Sequence, residues 1–320
     1  MIYKVLRWIT GIVLHWFYRD IRVVGRDRIP LKGPVLIAVN HQNALVDSLI
    51  VGWIVPRPVA MTAKATLSEN AVIALIFKLL HVVPLRRSRD ERGASVPNVA
   101  RNNDAFEEIM SVLSRNGAVL IFPEGKSHNE SRLEPLKTGM GRIALRARGE
   151  PGISGLTILP IGLVFEDKGT PGSLVGVRIG QAIEMDHWIG DDCVGLTQEI
   201  ARRLRTVSEQ GEVPTISIAG GQSNAGVIRE SLISAAAWWG RTTHRLPIQI
   251  ARNLAVQRSN DADQPAMLTI LFGLTFVFLT YAIQFAVVGF LLHSFAAALL
   301  YLVTLLCGAY WAAFRQYDRS

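Results

Sequence analysis

Residues 34–56 read PVLIAVNHQNALVDSLIVGWIVP. Pro34 to Val39 is a short apolar run, which fits a buried strand. It ends on the polar residues Asn40, His41, Gln42 and Asn43. Apolar residues resume from Ala44 to Val55 over the length of a helix, and Pro56 and Pro58 stop it. A buried strand that passes through a polar turn into a helix is the repeating unit of an α/β layer fold.

The alternation continues outward from this stretch. Val59 to Ala63 reads as a strand, Asn70 to Leu80 as a helix, and His81 to Leu85 as a short strand that ends in basic residues. Asn103 stands where a helix cap belongs, with Glu107 and Glu108 in the early turns, and Asn116-Gly117 ends that helix. Ala118 to Phe122 is a buried strand and Thr138 to Ala147 a helix. Thr157 to Phe165 and Leu174 to Ile179 are strands, and Leu196 to Gln210 is an amphipathic helix. The expectation for residues 20–210 is an α/β domain, with a mixed, mostly parallel sheet flanked by helices.

The 320 residues allow one domain of about 200–250 residues and an appendage. Apolar residues make up 49% of the chain, and the excess sits at the C-terminal end. A net charge of +8 suits nucleic acid, anionic lipid headgroups or an anionic substrate. No basic stretch is interleaved with aromatics and no zinc-finger spacing occurs, so a lipid surface is the better reading and nucleic acid is not expected as a partner. Cys193 and Cys307 make neither a disulfide framework nor a metal site, which fits a reducing compartment.

The two ends point to a membrane. Residues 1–19 begin with an apolar stretch interrupted by Lys4, Arg7 and His15, which is not a secretory signal. Trp8 beside basic residues suits an amphipathic helix in the bilayer interface; a core-packing helix is the alternative. Residues 211–265 form a connecting region with helical patches at about 224–239 and 247–258, in which Trp238 and Trp239 either anchor at the interface or pack on the main domain. Met267 to Leu292 and Phe295 to Phe314 carry no charge, and His293-Ser294 separates them. Each is long enough for a ~30 Å hydrocarbon core, which takes about 20 residues. Residues 266–316 therefore read as a transmembrane helical hairpin, whereas two buried helices of a soluble bundle would need polar faces. Arg252 and Arg258 before the hairpin and Arg315 after it place both outer ends, and with them the main domain, on the cytoplasmic side of the cell membrane.

Two polar clusters carry the chemistry. His41 is suited to act as a general base near neutral pH, and Asp47 to orient it. Phe122-Pro123-Glu124-Gly125 follows an apolar strand and places a carboxylate and a glycine in a loop. In this order and at this separation, the two clusters resemble the phospholipid/glycerol acyltransferases, the family of glycerol-3-phosphate and 1-acylglycerol-3-phosphate O-acyltransferases. The resemblance covers about residues 34–166.

That resemblance implies His41 as catalytic base and Asp47 as its partner. Five residues separate them, where the commonest family pattern has four. Six steps on an ideal helix turn about 600°, so both side chains cannot point the same way from one helix. The expectation is His41 on the turn before the helix and Asp47 in its second turn. The longer spacing, with Lys126-Ser127-His128 after the FPEG residues, looks like a branch acting on glycerol-3-phosphate or dihydroxyacetone phosphate. The resemblance also implies substrate-binding roles. Arg86, with Arg87 as a second, would hold the acceptor phosphate through paired hydrogen bonds, although His81 replaces the usual glycine; a surface basic cluster with Arg89 and Arg92 is the alternative. Phe122, Pro123, Glu124 and Gly125 would shape the glycerol site, with Glu124 accepting hydroxyl hydrogen bonds. Lys126 would attract phosphate as a point charge, and Lys137 precedes a helix N-terminus suited to anions. His128 receives no chemical role. Leu159-Pro160-Ile161-Gly162-Leu163 either shapes the thioester end or is a plain core strand.

The implied activity is transfer of a fatty acyl group from acyl-CoA or an acyl carrier protein thioester to a hydroxyl of glycerol-3-phosphate or its 1-acyl derivative in phospholipid synthesis. The thioester is a co-substrate, and no metal or cofactor is implied. No Ser or Cys stands in a nucleophile motif and GxSxG is absent, which argues for direct attack without an acyl-enzyme. A lysophospholipid acyltransferase or transacylase is the enzyme alternative. A non-catalytic lipid-binding membrane protein of the same fold is another, for which a lost His, Asp or Glu would be the mark.

Overall fold

A computed structural model describes residues 2–64, 82–85, 103–128, 130–209, 213, 227–258 and 265–314. In chain order its elements are α1 (Ile2–Phe17), β1 (Asp20–Val24), β2 (Val35–Val39), α2 (Ala44–Ile54), β3 (Val59–Lys64), β4 (Val82–Leu85), α3 (Asn103–Ser114) and β5 (Ala118–Ile121). There follow α4 (Gly139–Arg148), β6 (Thr157–Phe165), β7 (Leu174–Ile179), β8 (Ile183–Glu184), α5 (Cys193–Ser208), α6 (Val227–Arg258), α7 (Pro265–Leu292) and α8 (Phe295–Phe314). The helix expected over 70–80 lies outside the described residues.

The sheet runs β1-β7-β6-β2-β5-β3-β4, with β8 paired to β6. β2 pairs in parallel with both β5 and β6, and β3 with both β5 and β4. The β6–β7 and β6–β8 pairs are antiparallel. The sheet is therefore mixed and mostly parallel, as its apolar runs imply. β2 and β5 are buried throughout because helices cover both faces. Side chains alternate along β2: Val35, Ile37 and Val39 meet Leu14 and Phe17 of α1 and Val46, Ile50 and Ile54 of α2. Leu36 and Ala38 face a second core with Ile109 and Leu113 of α3, Ile143 and Ala144 of α4, and Leu196 and Ile200 of α5.

Local signals set the helix ends. Asn116 adopts a left-handed φ of 57°. The next amide, Gly117 N, then donates back to Val112 O at 2.8 Å and closes α3. α5 begins at Cys193, earlier than its apolar pattern suggests, because Asp192 caps it: its carboxylate accepts from Val194 N at 2.9 Å and Gly195 N at 2.8 Å.

The N-terminal helix presents two different faces. One face packs on the domain: Tyr3 Oη donates to Arg57 O at 2.6 Å and Arg7 Nε to Trp53 O at 2.7 Å. The other exposes Val5, Trp8 and Ile9. Residues 227–258 form one helix rather than two patches, with Pro247 inside it. A mid-helix proline costs about 3 kcal/mol. Here α6 lies along both α7 and α8, and that packing holds the helix together across the proline. Gly240 and Gly308 let the backbones of α6 and α8 touch, since a Cβ on Gly240 would fall 2.0 Å from Gly308 O. α6 thus packs on the C-terminal hairpin; Trp238 is exposed and Trp239 packs edge-on against Tyr301.

α7 and α8 are long and apolar enough to cross a membrane. Ser294 starts α8, its Oγ accepting from Ala297 N at 3.2 Å. The first turns of α7 belong to the domain instead: Ile270 joins the core beneath α1 and α2, and Gly273 sits against the Trp16 ring.

Candidate active site

Three adjacent parallel strands deliver the site. β5, β2 and β6 all point the same way, so the segments after Ile121, Val39 and Phe165 emerge side by side at the carboxyl edge of the sheet. Ligands of open α/β sheets bind at that edge. His41 and Glu124, 83 residues apart in sequence, meet there for this reason.

Asn40 fixes the exit of β2. Its Nδ2 donates to Leu163 O at 2.9 Å, and its Oδ1 accepts from Leu163 N at 2.7 Å, so the side chain extends the ladder between β2 and β6. Leu159 to Leu163 is accordingly a buried strand whose link to the site is Leu163. Gly162 is required there, because a Cβ would lie 2.3 Å from Val207 O of α5.

His41 lies on the turn before α2, as its spacing to Asp47 demands. Asp47 sits in the first helical turn rather than the second, because the helix starts only at Ala44. From there its Oδ2 accepts from His41 Nδ1 at 2.9 Å, Gln42 N at 2.9 Å and Asn43 N at 2.8 Å. One fully buried carboxylate oxygen thus orients the imidazole and satisfies two amides of the turn. An ionised carboxylate only accepts, so the proton lies on Nδ1 and the Nε2 lone pair is available. The ring stacks on Phe122, with centroids 3.9 Å apart and an interplanar angle of 14°. Ala44 has a φ of 42°, unusual for a residue with a Cβ. Its amide donates to Ser127 Oγ at 3.2 Å, which ties this strained position to the facing loop.

Glu124 is 1% exposed. Its Oε1 accepts from His41 N at 2.7 Å. Its Oε2 accepts from Glu134 N at 2.8 Å and from His128 Nε2. Both oxygens hold protein groups, and two histidine–carboxylate pairs, His41–Asp47 and Glu124–His128, are joined through the His41 amide. Gly125 has a left-handed φ of 75°, which glycine adopts without strain, and its amide closes the turn onto Phe122 O at 3.0 Å. Pro123 is buried, and its carbonyl accepts from Lys137 N at 2.8 Å.

The basic residues differ in their surroundings. Lys126 Nζ pairs with the Glu134 carboxylate at 2.9 and 2.8 Å. Lys137 is exposed beside Gly125, just before Thr138 and α4. Arg86 and Arg87 lie outside the described residues. No cluster suited to a metal ion occurs among the described residues.

Four participants carried no usable signal in the sequence. His128 pairs with Glu124, and Glu134 bonds both Glu124 and Lys126. Tyr18 Oη accepts from Asn43 Nδ2 at 2.8 Å and donates to Lys168 O at 3.1 Å. Burial pushes the Tyr18 phenol well above its ordinary range, and the Asp47 charge adds to the effect. Lys168 stands 126 residues beyond Gln42, whose carbonyl its ammonium meets. Of the four, His128 was the most accessible to reading, four residues after Glu124 in a motif already singled out.

The buried His41–Asp47 pair thus stands at the carboxyl edge of an α/β sheet. In comparison with known proteins, residues 20–164 match the model of the Acyltransferase family. A 1-acyl-sn-glycerol-3-phosphate acyltransferase of Cocos nucifera is 26% identical over 142 residues, covering 44% of this chain and 42% of that one. Glycerol-3-phosphate O-acyltransferase 2 of Saccharomyces cerevisiae is 30% identical over 90 residues, 28% of this chain and 12% of that one. The chain spans less than half the length of these curated relatives. The fold matches the crystal structure of the 1-acyl-sn-glycerophosphate acyltransferase PlsC from Thermotoga maritima, with a TM-score of 0.51 and 20% identity, over 67% of this chain and 81% of that one.

Proposed function

We propose that this chain is a membrane-bound glycerolipid O-acyltransferase. It moves a fatty acyl group from acyl-CoA or an acyl carrier protein thioester to a hydroxyl of glycerol-3-phosphate or 1-acylglycerol-3-phosphate. The observation that carries this reading is the His41–Asp47 pair, with Nδ1 committed to the carboxylate at 2.9 Å. His41 Nε2 takes the hydroxyl proton as the oxygen attacks the thioester carbonyl carbon. Collapse of the tetrahedral intermediate breaks the C–S bond, and the imidazolium returns its proton to the leaving thiolate. Asp47 stabilises the imidazolium in between.

Phosphate recognition falls to Arg86 and Arg87, with Lys137 exposed beside the loop and Lys126 available by exchange of its Glu134 partner. Glu124 is within the site; its occupied oxygens favour a positioning role, holding the His41 amide, over direct glycerol binding. α7 and α8 cross the bilayer, the exposed side of α1 lies in its interface, and the acyltransferase domain faces the cytoplasm.

The test is acyl transfer by purified, detergent-solubilised protein. Radiolabelled glycerol-3-phosphate and 1-acylglycerol-3-phosphate are offered separately, each with long-chain acyl-CoA and with acyl carrier protein thioesters, beside His41→Ala. Transfer to one acceptor is expected, with a loss of at least about 10²-fold in the mutant. Transfer that survives His41→Ala, or none to either acceptor, overturns the proposal.

A further inference from the structure

We infer that Lys168 is a positioning residue that clamps the His41 turn to the Glu124–His128 loop. The role rests on the activity proposed above, and the geometry stands independently of it. Lys168 follows β6, the third of the parallel strands that open on the site. Its Nζ donates to Gln42 O at 2.6 Å and to His128 O at 3.2 Å. These carbonyls belong to the segments after β2 and β5, so one ammonium bridges the two loops that carry His41 and Glu124. A lysine suits this task because its ammonium offers three donors and no acceptor.

The backbone of Lys168 closes the clamp from the other side. Its carbonyl accepts from Tyr18 Oη at 3.1 Å and from Asn43 Nδ2 at 3.1 Å. Tyr18 is fully buried at the end of α1, and Asn43 is the residue before α2, so the lysine is fixed at both ends. Through it the turn from Asn40 to Asn43 is tied to α1, to the β6–β7 loop and to the β5 loop. His128 N also donates to His41 O at 3.1 Å, and His41 N and Ala44 N donate to Glu124 Oε1 and Ser127 Oγ across the same gap. A catalytic base works only within hydrogen-bond reach of the proton it takes, so loosening this clamp lowers turnover rather than substrate binding.

Full-length Lys168→Met and Lys168→Arg proteins in detergent test the inference by amide hydrogen exchange and by kinetics. In Lys168→Met, the amides of residues 41–43 and 128 exchange at least ten-fold faster, while those of β2 and β5 are unchanged. The kcat falls ten-fold or more, with both KM values within two-fold and the melting temperature preserved. Lys168→Arg, which keeps donors and charge, recovers part of both losses. Unchanged exchange, or unchanged kcat, overturns the inference. So does a raised acceptor KM at unchanged kcat, which would make Lys168 a phosphate ligand. If Lys168→Met does not fold, Tyr18→Phe removes the hydroxyl that fixes the lysine backbone, and the same criteria apply. If the wild-type protein transfers no acyl group, the activity reading fails and the exchange rates alone decide whether Lys168 holds the turn.

Discussion

Around the His41 turn, Asn40, His41, Asp47 and Glu124 are 0, 7, 0 and 1% exposed, whereas on the hairpin Phe278, Phe290 and Leu300 are 67, 75 and 68% exposed. The first region buries polar groups and the second displays apolar ones. Burial without partners costs a polar group several kcal/mol, and the donors gathered on Asp47 Oδ2 and on Glu124 offset part of that cost, while Asp47 Oδ1, Asn43 Oδ1 and His128 Nδ1 have no hydrogen-bond partner among the described residues. The hairpin's apolar surface has no such partners among the described residues, and in the proposed arrangement lipid covers it. One region is specified by its protein partners, the other by its surroundings, and substitutions are expected to act through those different causes.

The sharpest break in the first region is Asp47→Asn. The amide oxygen can take the place of Oδ2 for all three donors, but the neutral side chain no longer stabilises the imidazolium that forms when His41 takes a proton. A kcat loss of about 10³-fold or more is expected, with KM little changed and the fold retained, read by acyl-transfer kinetics and far-UV circular dichroism. A loss below ten-fold would reduce Asp47 to a helix-turn residue.

The hairpin is probed by Phe278→Arg, beside Leu31→Arg in the domain. The two side chains are equally open, at 67 and 69% exposed. A charge near the centre of a spanning helix costs about 2.5–3.5 kcal/mol, whereas an arginine on a watered surface costs almost nothing. Phe278→Arg should therefore release a large share of the protein on alkaline carbonate extraction, and Leu31→Arg none. Equal behaviour would mean that α7 does not face lipid.

The smallest effect is expected away from both regions. Hydrogen bonds from Arg202, and then Arg203, hold the Glu199 carboxyl down to about 2 on the surface of α5. A depressed carboxyl stabilises the fold above its unfolded value of 4.5, and that contribution fades as the pH falls toward about 2. Solvent screening keeps it below about 1 kcal/mol. Chemical denaturation should show Glu199→Gln slightly less stable than wild type at pH 7 and indistinguishable from it near pH 2. A gap that widens on acidification would contradict the assignment.

The sequence by itself determined the elements that depend on local pattern. Apolar runs long enough to be strands marked β2, β5 and β6, and uncharged runs of about 20 residues marked α7 and α8, because each is a one-dimensional statement about which solvent a segment tolerates. The spacing of His41 and Asp47 also forced the histidine onto the turn before the helix, a constraint of helical geometry alone. Tertiary structure decided what depends on strand order. Lys168 reaches Gln42 across 126 residues, and Glu124 reaches the His41 amide across 83, because β6 and β5 flank β2 in parallel. No local pattern encodes that adjacency. The α6 region marks a similar limit: it reads as two helical patches, the second starting at Pro247, yet the structure has one helix that packs along the hairpin. Intrinsic preference yields wherever packing supplies more free energy than the local conformation costs.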